Sequence, residues 1–187
     1  MFFEDVEVVD PYVEKGWTPE LKLTLSTGEE VESVEANLGI TFPDGYREYV
    51  TTLGLGEYCN YIRIDMPAAV ANEYKEYQAF LSENWFWEMG EAILSKQRAL
   101  ECIKIGDTDH GDVLIFHPSK NDELFVLPRH DDMLHRIGVD LYEAIDWLCV
   151  YKHDPHSGQV GQTHEKRYFV PFNAFAYDYG VLRPQNI

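Results

Sequence analysis

The sequence predicts an α+β fold, a single domain with a central, mostly antiparallel sheet and helices packed against it. Three stretches carry that expectation. Residues 27–56 read as two short amphipathic helices, residues 102–127 as strands separated by turn formers, and residues 140–149 as a further amphipathic helix. Each helix has a single apolar face, which must cover something, and a sheet is the natural partner. The expected domain spans 1–187, with a core over about 27–150 and an aromatic-rich extension over 151–187.

In chain order, Asp10-Pro11 and Thr18-Pro19 mark turns, with Trp17 between them as a packing lid. Leu21, Leu23 and Leu25 alternate with Lys22 and Thr24 as in a half-buried strand. Val31, Val34 and Leu38 then fall on one helical stripe. Ser26 or Thr27 can cap its start, with Glu29 or Glu30 completing a capping box, and Gly39 ends it. Pro43 is expected to open the second helix, with Tyr46, Tyr49, Val50 and Leu53 as its apolar face and Gly54 and Gly56 closing it. Residues 58–65 read as one strand, with Ile62 and Ile64 on one face and Tyr61 and Arg63 on the other. Asp65 is placed to cap the next helix and Pro67 to occupy its first turn, before Val70, Tyr74, Tyr77 and Leu81 at helical spacing. The Asn84–Met89 run, NWFWEM, reads as core aromatics, with an exposed partner anchor as the alternative. Residues 95–100 resume a helix.

Ile103 and Ile105 belong to a strand, residues 106–111 to a turn, and Val113-Leu114-Ile115-Phe116 to a central strand buried on both faces. Residues 118–122 are turn formers, and Leu124 to Leu127 return as a strand. Asp140 caps the last helix with Glu143 behind it, and Leu141, Ala144, Ile145 and Leu148 form its face. In the tail, residues 152–165 form a polar loop. Tyr168, Phe169, Phe172, Phe175, Tyr177 and Tyr179 follow, expected to add a strand, wrap the core or meet a second copy of the chain.

Two of these stretches carry a family resemblance. The pattern Val31-Glu32-x-x-Glu35-x-x-Leu38-Gly39-Ile40-x-Phe42-Pro43-Asp44-x-Tyr46-Arg47-Glu48-Tyr49 resembles the opening of the SUKH superfamily, which includes bacterial immunity proteins and fungal cell-wall glucan-synthesis regulators. Phe42 stands where a Leu is usual, and Leu53-Gly54-Leu55-Gly56 where Asn-Gly-Gly is more usual. Ile105-Gly106, Gly111-Asp112 and the Val126 strand resemble the strand–turn–strand unit of the same group, and a closing helix also suits it. The resemblance covers about Val31 to Cys149. It implies a binding protein rather than an enzyme: an immunity protein that blocks a toxin, or a regulatory scaffold that binds an endogenous partner.

Composition narrows the partners. The net charge is −18, and residues 1–91 hold 19 acids against 5 bases. Such a surface repels nucleic acid and anionic membranes and speeds association with a basic protein, such as a basic toxin domain. No run approaches a membrane span, the acidic N-terminus is no signal peptide, and Cys59, Cys102 and Cys149 read as buried thiols of a cytoplasmic protein.

Reactive constellations are weak. Residues 107–112 invite a calcium reading, but the Gly falls fifth and position 12 is Pro118 rather than a bidentate Glu. His153, His156 and His164 are the best zinc candidates, yet Pro155 prevents a helix from aligning the first two. Ser157 has no nucleophile-elbow context, Gly54-x-Gly56 and Gly158-x-x-Gly161 lack that of a phosphate loop, and Cys102 has no fixed cation beside it. The expectation is therefore no catalytic residue, no metal and no cofactor. Contacts to a protein partner are expected from the turn acids Asp107, Asp109 and Asp112 and from Glu57 after the second helix.

Overall fold

The computed structural model describes residues 2–9, 22–119, 123–150 and 167–172. Trp17, the zinc-candidate histidines and the aromatics beyond Phe172 lie outside the described residues. Among the described residues, eight strands form one sheet in the order β1-β8-β2-β3-β4-β5-β6-β7. These are β1 (Glu7–Val8), β2 (Gly56–Tyr58), β3 (Ile62–Ile64), β4 (Ile103–Thr108), β5 (Val113–Phe116), β6 (Leu124–Leu127), β7 (His135–Gly138) and β8 (Tyr168–Pro171). Only the β1–β8 pair is parallel; the other pairs are antiparallel. With helices α1 (Gly28–Leu38), α2 (Tyr46–Thr52), α3 (Pro67–Asn84), α4 (Lys96–Ala99) and α5 (Leu141–Val150), the architecture is α+β.

The helix pair forms as its sequence dictates. Thr27 caps α1 and exchanges hydrogen bonds with Glu30 in a capping box, and Gly39 ends it at φ 66°. Tyr46, Tyr49, Val50 and Leu53 are all buried. Glu35 Oε1 accepts the Phe42 N–H at 2.8 Å, tying the first helix to the elbow. Pro43 does not open α2. Its carbonyl accepts the Tyr46 N–H at 3.1 Å in a turn, so the helix starts at Tyr46 with Gly45 as its N-cap.

Two hydrophobic cores share the sheet as a wall, because successive strand residues point to opposite faces. Leu114, Phe116, Leu124 and Val126 enter the main core with Val31 of α1, the α2 face and Leu141, Ala144, Ile145 and Leu148 of α5. Ile115, Phe125 and Leu127 enter the second core with Leu81, Trp87, Leu94 and Ala99. The NWFWEM run is divided accordingly: Trp87 is buried in the second core and Trp85 packs on it, whereas Phe86 and Met89 are exposed.

Several expectations are corrected. Residues 58–65 form a hairpin rather than one strand, since Cys59 and Asn60 adopt left-handed φ of 54° and 50°. Tyr61 lies in that turn and joins the main core. Asp65 does not cap α3; Met66 holds the N-cap position, and Asp65 pairs with Lys104 instead. Residues 22–27 form no strand, although the Leu55 N–H donates to Thr24 O at 2.9 Å. β7, absent from the sequence reading, pairs at the edge with β6. The turn expected over 106–111 is shorter, because β4 continues through Thr108.

β4 also carries a register shift between Lys104 and Gly106 against β5. Gly106 sits so close to β3 that an added Cβ would lie 2.2 Å from the Arg63 carbonyl oxygen, whereas one at Gly39 would meet nothing within 4 Å. Gly39→Ala therefore costs left-handed strain alone, roughly 1–2 kcal/mol. Gly106→Ala should cost more, about 3 kcal/mol, because two hydrogen-bonded strands must part. Urea unfolding of the two variants checks the order.

Candidate functional site

Strand alternation builds the site. Ile62 and Ile64 enter the main core, so Arg63 between them projects from the opposite face. Lys104 does the same between Ile103 and Ile105, and Glu57 between the buried Gly56 and Tyr58. Antiparallel register sets Arg63 directly across from Asp107.

Arg63 is the first hub. Its Nη1 lies 3.8 Å from Glu57 Oε1, its Nη2 3.7 Å from Asp109 Oδ1, and its Nε 2.9 Å from Asp107 Oδ1. The Nε contact is an ion pair without aligned hydrogen-bond geometry, while Nη2 donates to the Thr108 carbonyl at 3.1 Å. Lys104 is the second hub, its Nζ 2.9 Å from Asp65 Oδ2, 3.4 Å from Asp107 Oδ2 and 3.7 Å from Glu73 Oε2. Asp107 bridges the two hubs, one carboxylate oxygen to each cation.

Five carboxylates thus surround two cations, and negative charge remains in excess. Burial pushes the Glu57 carboxyl above its usual range; Arg63 opposes this, and Asp109 and Asp107 reinforce it. Asp65 is likewise raised by burial, against the pull of Lys104. For Lys104, burial acts to lower the ammonium, but Asp65, then Asp107 and Glu73, hold it above its ordinary value. The rim is open: the side chains of Asp109 and Glu73 are 61% and 55% exposed.

Of the four acids singled out from sequence, the structure gathers Glu57, Asp107 and Asp109 around Arg63. Asp112 stands apart. Its Oδ2 accepts from Thr108 Oγ1 at 2.9 Å and Tyr61 Oη at 3.4 Å, and its Oδ1 accepts the Arg129 N–H at 3.0 Å, so it holds the β4–β5 turn. Sequence reasoning missed Arg63, Lys104, Asp65 and Glu73. A signal was there in Ile-Arg-Ile and Ile-Lys-Ile, each a lone cation between two core residues of a strand.

Cys59, Cys102 and Cys149 are buried and form no disulfide among the described residues. Burial pushes the Cys102 thiol up to about 12, and a hydrogen bond with Cys59, together with burial, raises that of Cys149. His117 lies 3.1 Å from Glu101 Oε2 and 2.9 Å from Ser119 Oγ, but its Nδ1 also accepts the Ser119 backbone N–H at 3.2 Å, which makes it the brace of the turn after β5. Among the described residues, no three His, Cys, Asp or Glu side chains are grouped to hold a metal, and no helix is long and apolar enough to cross a membrane.

A family profile described as the SMI1 / KNR4 family (SUKH-1) matches residues 26–147, about two thirds of the chain. No curated protein matches it. The matched span contains both hubs and leaves out β1 and β8.

Removing Lys104 leaves Asp65 partly buried without its cation. Lys104→Met should cost about 2 kcal/mol at neutral pH, at the low end for a broken pair because both side chains keep some contact with water. Asp65, already raised, rises further in the variant and accepts a proton as pH falls through its folded value. The penalty therefore shrinks on acidification, and the wild-type contribution of Lys104 is lost only as pH rises through its own raised value. Urea unfolding from pH 4 to pH 7 measures this; a penalty that grew on acidification would refute it.

Proposed function

The chain belongs to the SMI1 / KNR4 family (SUKH-1), and from that premise we propose that it is an immunity protein, which neutralises a toxin by binding it directly. Membership supports a non-catalytic binding role. The observation that carries the finer reading is the Arg63–Lys104 network. It holds Glu57, Asp107 and Asp109 in fixed positions, Asp109 the most exposed of them, with more negative charge than its two cations neutralise. On a chain of net charge −18, that face suits a basic toxin domain such as a nuclease. Charge of this kind acts chiefly on the association rate, by steering the two surfaces together before they desolvate. Asp112 contributes by holding the turn that carries Asp109. The three buried thiols, none in a disulfide, favour a reducing, cytoplasmic setting.

A regulator of the glucan-synthesis type would bind an endogenous partner instead, and the product of the neighbouring gene distinguishes the two. Stopped-flow association with a toxin domain encoded beside the gene should slow by roughly tenfold or more between 50 and 500 mM salt. Combining Glu57→Gln, Asp107→Asn and Asp109→Asn should slow it at low salt and flatten the salt dependence. Association that ignores both salt and these substitutions would defeat the reading.

A further inference from the structure

α3 carries a second surface next to the charge network. Glu73, Glu76, Tyr77 and Phe80 fall at i, i+3, i+4 and i+7, one stripe of the helix. With Lys104 of β4 they wall a groove of about 410 Å³. Phe80 is 50% exposed, its ring stacked on that of Tyr77 with centroids 6.3 Å apart and planes at 26°. The cation at the base of the groove is already taken, since Lys104 is held by Asp65 and Asp107 as well as by Glu73. Glu76 enters no ion pair among the described residues. The groove therefore combines an open aromatic face with unneutralised carboxylate charge.

Each wall selects the occupant. An acidic group is repelled by Glu73 and Glu76. A purely apolar side chain would cover Phe80 but would desolvate those two carboxylates without compensation. A second copy of this chain would bring the same acidic stripe and a net charge of −18 against itself. A cation with a flat face satisfies both walls. Resting on the binding-module reading above, we propose that this groove receives an arginine side chain of the protein partner. The guanidinium lies against the Phe80 ring, and its N–H groups donate to Glu76 and to the outer oxygen of Glu73. Arginine is favoured over lysine because a planar, weakly hydrated guanidinium stacks on an aromatic ring and reaches two carboxylates at once. The groove thus supplies the residue selectivity that the Arg63–Lys104 face, a broad field of charge, does not.

The probe is the capped peptide acetyl-Gly-Arg-Gly-Arg-Gly-amide, with versions in which lysine or citrulline replaces arginine, titrated into the full chain at low salt and followed by backbone amide shifts. Saturable shifts at residues 73–80 and 104 are expected with the arginine peptide and none with the citrulline peptide. The lysine peptide should bind about two- to fivefold more weakly. Phe80→Ala should bring the arginine peptide to the level of the lysine one, and Glu76→Gln should weaken both. Both substitutions are at surface positions, and unchanged unfolding midpoints confirm that the fold is intact. Shifts confined to other residues, equal shifts with citrulline, or concentration-dependent shifts at 73–80 without peptide would overturn the proposal. The wider reading is tested apart from it. If the neighbouring-gene product binds Phe80→Ala and Glu76→Gln as tightly as wild type, the arginine groove falls and the binding module stands. If wild type fails to bind that product while the peptide behaves as expected, the immunity reading falls and the groove stands.

Discussion

The charged face depends on one irregularity in β4. In a regular strand, residues three apart point to opposite faces, yet Lys104 and Asp107 both project away from the main core and meet at 3.4 Å. The register shift between Lys104 and Gly106 makes this possible, because one extra residue in the strand restores both side chains to the same face. Gly106 is what the shift requires, since any side chain there would run into the β3 backbone at Arg63. A structural residue with no charge of its own thereby decides which carboxylate joins the two cations.

The same sheet explains why the charges are tolerated. Over β5 and β6 both faces are covered, and the residues there are apolar almost without exception. At Arg63 and Lys104 the side away from the main core holds carboxylate partners and, beside Lys104, the α3 groove, so these positions can be polar. The more exposed pairs, such as Arg63 with Asp109, contribute roughly 0–1 kcal/mol each, and in the more buried Lys104–Asp65 pair the attraction is set against the cost of desolvating both charges. They are minor for stability beside the two cores. Their effect is positional: Arg63 ties the β2–β3 hairpin to β4 and fixes the acids around it.

In the binding role proposed above, the network and the α3 groove would divide recognition between range and selectivity. Excess charge over β2, β3 and β4 acts over a Debye length, about 8 Å at physiological salt, and so would govern the approach of a basic partner. The aromatic and carboxylate walls of the groove act only on contact. Glu73 belongs to both, paired with Lys104 on one side and lining the groove on the other.

Much of the fold was legible because it is local. The capping box at Thr27 and Glu30, the left-handed Gly39, the α2 and α5 faces and the two-sided β5 follow from residues within one or two turns of each other. The family resemblance was legible for the same reason. The strands that escaped, β1 and β7, are short edge elements. The partner of β1 is β8, near the other terminus, and β7, although it pairs with neighbouring β6, is a His-Arg-Ile-Gly stretch with only one apolar residue to mark it. Sequence by itself determined that this protein is acidic, α+β and built around a helix pair over a sheet. Which acids stand together was left to the tertiary structure. Arg63 meets Asp107 through a pairing 44 residues apart, and Asp112, five residues from Asp107, faces a different set of partners. Side-chain direction in a strand reverses at every residue, so a single bulge reassigns a carboxylate from one face to the other, and no local pattern records where the bulge falls.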